Sequence, residues 1–132
     1  METSSIILKC ARCLSKGMGT IGKESVTDRQ ERISGFDQKK LESIKIGLIG
    51  AGGLGGEIGE GLVRKGVTSL DIYDGDEVEP SNLSRQRFYE KDLYKNKAIA
   101  LAENLSKEAV KKGVMRGVPM MFQAAIEKGL SF

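Results

Sequence analysis

The chain has 132 residues, a net charge of +3 and no histidine. That length bounds it to a single domain with a real core. The interspersed Lys and Arg make a solvated surface, not the basic run of a nucleic-acid tail, so no nucleic-acid partner is expected. No apolar run approaches the roughly 20 residues of a membrane span. Ile6-Ile7-Leu8 before Lys9 is too short for a signal segment of about 7–15 apolar residues. A cytoplasmic protein is expected. Cys10 and Cys13 form one Cys-x-x-Cys, half of the four ligands that structural zinc takes. Inert thiols, half of a zinc site completed elsewhere and a redox pair all stay open, and no metal site is assigned.

In chain order, residues 1–27 read as a loosely ordered lead-in to a single domain over 28–132. Gly17-Met18-Gly19-Thr20-Ile21-Gly22-Lys23 nearly matches a P-loop, but Glu24 stands where Ser or Thr must supply a hydroxyl to magnesium. A carboxylate there would repel phosphate, so the P-loop is rejected. Residues 28–41 are charged and partly helical. Ile44 to Gly50 is an aliphatic run ending in glycine, the pattern of a buried parallel strand. From Gly53 to Lys65 the spacing of Leu54, Ile58 and Leu62 predicts a helix with one apolar stripe. Its interior Gly56, Gly59 and Gly61 each cost up to about 1 kcal/mol against Ala, so sheet packing must hold it together. Gly66 has the C-cap role.

Ser69 to Tyr73 predicts a second strand with Asp74 at its carboxyl end, and a polar loop carrying Pro80 follows. A helix from about Asn96 to Lys111 puts Ala98, Leu101, Ala102, Leu105 and Ala109 on one face. Gly113 closes it, Val114 to Met121 reads as a third strand, and Phe122 to Lys128 as a short helix. The order β-α-β-(loop)-α-β-α is the first half of a Rossmann-like, doubly wound parallel α/β sheet without its C-terminal strands. Such a half-sheet would expose a strand edge that wants a neighbour, which suggests a truncated or partial chain.

Gly50, Gly52 and Gly55 meet the Gly-x-Gly-x-x-Gly requirement after a strand and at a helix start. One makes the tight turn, one lets backbone approach phosphate, and one lets helix pack on strand. Free N–H groups at the helix start favour an anion. Asp74, nineteen residues past Gly55, can accept hydrogen bonds from ribose hydroxyls. A glycine turn kept only for packing would leave Asp74 unexplained. An NAD or FAD oxidoreductase would need a second mononucleotide half.

The segment Asp74-Gly75-Asp76-Glu77-Val78-Glu79-Pro80-Ser81-Asn82-Leu83-Ser84-Arg85-Gln86, ahead of Lys97, resembles the signature of the ThiF/MoeB family, the adenylating superfamily that includes the ubiquitin-activating enzymes. Upstream, Arg29-Gln30-Glu31-Arg32-Ile33-Ser34-Gly35-Phe36-Asp37-Gln38 resembles the approach to that domain. The resemblance implies ATP at the glycine turn, with Gly52, Gly53 and Gly55 against phosphate and Asp74 on the ribose. It implies Asp76, Asn82, Arg85 and Gln86 around the nucleotide, with Lys97 reaching the phosphates from the next helix. It also implies an arginine contributed across a dimer interface, matched by Arg29 with Arg32 as runner-up. The partner would be a ubiquitin-like or sulfur-carrier protein ending in Gly-Gly, its C-terminal carboxylate adenylated with ATP and Mg2+.

Three departures stand out, one being an interval from Gln86 to Lys97 about one residue shorter than the family pattern, which makes Lys97 the least secure match. The family's magnesium aspartate would lie beyond Phe132, and no cysteine follows the adenylation motifs to form a thioester. A non-catalytic scaffold subunit is therefore the main alternative. Taken singly, Arg85 and Lys97 would be surface charges and Asn82 a turn residue. Their occurrence in register after Asp74 is what favours the enzyme.

Overall fold

The computed structural model describes residues 24–129. Cys10, Cys13 and the rejected P-loop lie outside them. Two short helices, α1 (Asp28–Glu31) and α2 (Gln38–Ser43), lead into β1 (Lys45–Ile49), α3 (Gly53–Arg64) and β2 (Ser69–Tyr73). Two 3-10 turns, Pro80–Asn82 and Glu90–Asp92, precede α4 (Lys97–Glu108), β3 (Val114–Val118) and α5 (Phe122–Glu127). The three strands are parallel in the order β1-β2-β3, with Gly47, Asp71 and Arg116 in one register row.

The two crossover helices lie on one face of this sheet. Ile46 and Leu48 of β1 with Leu70 and Ile72 of β2 point towards them, as the two-residue alternation of a strand requires. They meet Val63 of α3 and Leu101 and Leu105 of α4 in one core. On the opposite face Tyr73 and Val118 pack with Ala125 and Phe122, the Tyr73 and Phe122 rings meeting edge-on at 5.5 Å. That face also carries a charged cluster. Asp71, buried at the sheet centre, pairs with Lys45 of β1 at 3.0 Å and Arg116 of β3 at 2.7 Å. Burial raises the Asp71 pKa, but the hydrogen bonds from Arg116 and Lys45 outweigh it and leave the carboxyl below its usual value.

The helices α1 and α2 close the other end of the molecule. Gln30 donates to the Lys65 carbonyl at the end of α3, and Gln30 and Gln38 hydrogen-bond each other. The Thr68 hydroxyl donates to the Glu42 carbonyl at 2.7 Å.

Three expectations change. The fully buried side of α3 is Gly55, Gly56, Gly59 and Val63, and of the expected Leu54–Ile58–Leu62 stripe Leu62 alone packs, partly buried, against the core. Leu54 is 76% exposed and Ile58 43% exposed. The reason is contact distance. A Cβ on Gly59 would sit 2.7 Å from Leu105 Cδ1, and one on Gly56 2.9 Å from Arg87 Cγ. Only glycine lets α3 approach its neighbours this closely, so the helix buries the face that has no side chains. Second, β3 stops at Val118: the Met120 N–H, the next donor in line for the Asp74 carbonyl, turns back to the Val118 carbonyl at 2.8 Å. Third, Asn96 lies outside α4 as its N-cap, accepting a hydrogen bond from the Ile99 N–H at 3.1 Å.

Candidate functional site

The carboxyl ends of β1 and β2 open onto the glycine turn. Gly50 has φ +90°, a conformation that favours glycine, and its N–H donates to the Tyr73 carbonyl at 2.8 Å. A Cβ on Gly55 would lie 2.0 Å from the Gly50 oxygen, so the start of α3 folds directly against the turn. Gly52 is the N-cap of α3 and brings no side chain to it. The first helical N–H groups, which have no partner within the helix, therefore face outwards uncapped.

Asp74 sits behind this turn. Its Oδ2 accepts from the Ala51 N–H at 2.8 Å and its Oδ1 from the Asp76 N–H at 2.9 Å. Each oxygen keeps a second acceptor site. Asp74 is only 9% exposed, and these two bonds orient its carboxylate.

The loop from β2 crosses in front of α3. The Arg85 carbonyl lies 3.5 Å, and the Gln86 amide nitrogen 4.0 Å, from where Cβ atoms on Gly53 and Gly52 would stand. The Gln86 Oε1 is buried without a hydrogen-bond partner among the described residues. Arg87 anchors this crossing through two hydrogen bonds to Glu57 at 2.8 and 2.9 Å and an ion-pair contact with Glu60 at 2.7 Å. Donating to Glu57 pushes the Arg87 pKa further up, and accepting from Arg87 holds Glu57 below its usual value. With Arg87 so engaged, the neighbouring Arg85 guanidinium is exposed and has no hydrogen bond or ion pair among the described residues.

Lys97 begins α4. Its N–H donates to the Asp76 carbonyl at 2.8 Å and its Nζ stands 3.8 Å from the Asp76 carboxylate. The Lys97 side chain is only 13% exposed, while that of Asp76 is 67% exposed. Asn82 is buried, its Oδ1 accepting from the Glu79 N–H at 2.9 Å within the Pro80 turn. Its carbonyl also receives the N–H groups of Arg85 and Gln86. Asn82 thus shapes the loop that presents them.

Gly50, Gly52, Gly53, Gly55, Asp74, Asp76, Arg85, Gln86 and Lys97 converge at one end of the sheet. Arg29 does not join them. It pairs with Glu24 at 2.9 Å, on a helix tied to Lys65, which a 12-residue helix separates from the glycine turn by about 18 Å. Arg32 is likewise engaged there, with Asp28 at 2.5 Å.

Asn96 was not among the residues expected at the site. Its amide donates to the Asp74 carbonyl at 2.8 Å and the Asp76 carbonyl at 3.1 Å. The only sequence signal is an Asn at a helix start, which the capping preference explains without invoking a site.

Sheet, crossover helices and glycine turn define the class: a Rossmann-type parallel α/β protein whose first strand opens through glycines onto an uncapped helix N-terminus. The chain belongs to the ThiF family, whose model matches residues 22–125. It is 41% identical over 78 residues to the ATP-dependent ubiquitin transferase-like protein Cap2 of Enterobacter hormaechei, covering 59% of this chain and 13% of that protein. It is 53% identical over 55 residues to the sulfur carrier protein ThiS adenylyltransferase of Bacillus subtilis, covering 42% of this chain and 16% of that one. The chain thus spans a small fraction of the curated relatives it matches. Among solved structures, E. coli MccB with ATP superposes at TM-score 0.62 and 29% identity, covering 69% of this chain and 28% of that one. E. coli TcdA shares the fold at TM-score 0.67 and 21% identity, over 81% of this chain and 46% of that one.

Proposed function

We propose that the chain is the nucleotide-binding part of an enzyme that uses ATP to adenylate the C-terminal carboxylate of a ubiquitin-like or sulfur-carrier protein. One observation carries this reading. The uncapped start of α3 faces the Arg85–Gln86 crossing, with the oriented Asp74 carboxylate at its back. The family membership and the relatives named as adenylyltransferases support it.

ATP fits what is present. Side chains on Gly52 and Gly53 would stand against Gln86 and Arg85, so these glycines leave backbone donors open to phosphate. Asp74 retains acceptor capacity for ribose hydroxyls. Arg85 and Lys97 supply positive charge, Lys97 exchanging its 3.8 Å contact with Asp76 for a phosphate oxygen. A carrier carboxylate oxygen attacks the α-phosphorus, forming the mixed anhydride, while the α–β P–O bond breaks and pyrophosphate leaves. Because an anion attacks an anion, positioning and charge neutralisation do most of the work. Magnesium does not fit in the same way. Among the described residues no three Cys, Asp or Glu side chains gather as a metal site. Arg29 or Arg32 enters only from a second copy, so the reading includes a dimer, built on a domain over 28–132.

Calorimetric titration with ATP and with NAD tests the nucleotide. ATP binding weakened about tenfold in Arg85→Ala, at unchanged melting temperature, is expected for one lost charged contact. Tight NAD binding without ATP binding would sink the reading. ATP binding without carrier-dependent turnover would instead favour the scaffold role.

A further inference from the structure

We infer that Asn96 is a positioning residue that locks the Asp74–Asp76 loop to the helix carrying Lys97, and so sets the distance between the ribose-binding carboxylate and the phosphate-binding cation. The inference deepens the adenylation reading and, for its effect on ATP, rests on it.

The geometry assigns every hydrogen-bonding group of the Asn96 side chain. The Asp74 and Asp76 carbonyls at 2.8 and 3.1 Å require donors, and the Ile99 N–H at 3.1 Å requires an acceptor. Only one amide orientation satisfies all three. The same junction carries the Lys97 N–H to Asp76 carbonyl bond, and an antiparallel bridge pairs Glu77 with Asn96. Asp74 has its own bonds to Ala51 and Asp76 N–H groups, so the chain of contacts runs from the glycine turn through Asp74 and Asn96 to Lys97. The residues before it are also constrained. Tyr94 adopts φ +65°, which side chains rarely occupy. Its N–H donates to the Val78 carbonyl at 2.9 Å, and the Val78 N–H to that of Lys95, also at 2.9 Å. The connection leaves no slack, and the Asn96 side chain hydrogen-bonds both the loop and the helix start.

Capping and locking are separable by substitution. Serine and aspartate are both good N-caps and still accept from Ile99. Neither offers the amide donors. Aspartate further places a carboxylate against two carbonyl oxygens. A residue that only caps α4 predicts that Asn96→Ser and Asn96→Asp both behave as the unaltered chain. A lock predicts a graded loss, Asp worse than Ser.

Two readouts need no nucleotide: amide hydrogen exchange over residues 74–78, and the acylation rate of Lys97 by acetic anhydride, followed by mass spectrometry. Both should rise several-fold in Asn96→Ser and further in Asn96→Asp, at a melting temperature close to that of the unaltered chain. ATP affinity should fall about tenfold in Asn96→Ser, as displacement of a supporting contact does at such sites. Unchanged exchange and Lys97 reactivity in both variants would overturn the lock, whatever ATP does. Raised exchange and reactivity with ATP affinity unaltered would overturn its role in positioning. Failure of the unaltered chain to bind ATP would overturn the adenylation reading, and the lock would still be decided by the first two readouts.

Discussion

At the residue scale, the site is built by atoms that are absent as much as by those present. Gly55 and Gly61 both sit in α3, yet their demands differ. A Cβ at Gly55 would lie 2.0 Å from a backbone oxygen, whereas at Gly61 no atom of the described residues comes within 4 Å. Gly55→Ala should therefore destabilise the fold by about 2–4 kcal/mol, because backbone must move. Gly61→Ala should stabilise it by up to about 1 kcal/mol through helix propensity. Urea denaturation midpoints of the two variants check both signs. The spacing of Gly50, Gly52 and Gly55 made this turn readable from the sequence, since each glycine answers a local steric need. Asp74 was readable as an acidic residue at a strand end, but not its two backbone hydrogen bonds, which depend on where Ala51 and Asp76 come to rest. Asn96 was not readable as a site residue, because its partners lie 20 and 22 positions upstream.

At the element scale, α3 shows how periodicity can name the wrong face. Leu54, Ile58 and Leu62 recur at helical spacing, but Gly55, Gly56, Gly59 and Val63 make the buried face. Periodicity counts side chains, whereas close helix packing rewards their absence when the neighbours are Leu105, Arg87 and a backbone turn. For α4 the same method found the right face, since Ala98, Leu101, Ala102 and Leu105 are all buried. Leu54→Ser should cost less than about 0.5 kcal/mol, as expected for an exposed position. Leu105→Ala should cost about 2–5 kcal/mol for an emptied core site. Thermal or chemical denaturation separates the two. Equal costs would place Leu54 in a core that the fold does not give it.

At the scale of the whole molecule, Asp71 ties all three strands together through Lys45 and Arg116. Burial raises its pKa, the hydrogen bonds from Arg116 and Lys45 lower it more, and the folded value ends below the ordinary one. A depressed folded pKa contributes stability that is complete above the unfolded value and is lost as pH falls through the folded value. The stability difference between the unaltered chain and Asp71→Asn should therefore be constant above about pH 4 and shrink below it. A difference that grew on acidification, in denaturation midpoints measured across that range, would contradict the sign. The parallel α/β order of the sheet was legible from alternating aliphatic runs and amphipathic stretches. The Lys45–Asp71–Arg116 cluster was not, because only the parallel register sets Arg116 beside Asp71 and Lys45 two residues along β1 on the same face.

The central claim is that the glycine turn, Asp74, Arg85 and Lys97 form one site for carboxylate adenylation. Magnesium-supported ATP–pyrophosphate exchange tests it most directly, with candidate carrier proteins ending in Gly-Gly and Arg85→Ala as control. Exchange that requires the carrier and falls by about 10²-fold or more in Arg85→Ala is the predicted result for loss of a charge that acts on the reacting phosphates. Carrier-dependent exchange left intact in Arg85→Ala would remove that residue from the site. No exchange with any such carrier, by a chain that binds ATP, would contradict the adenylation account and leave a nucleotide-binding scaffold.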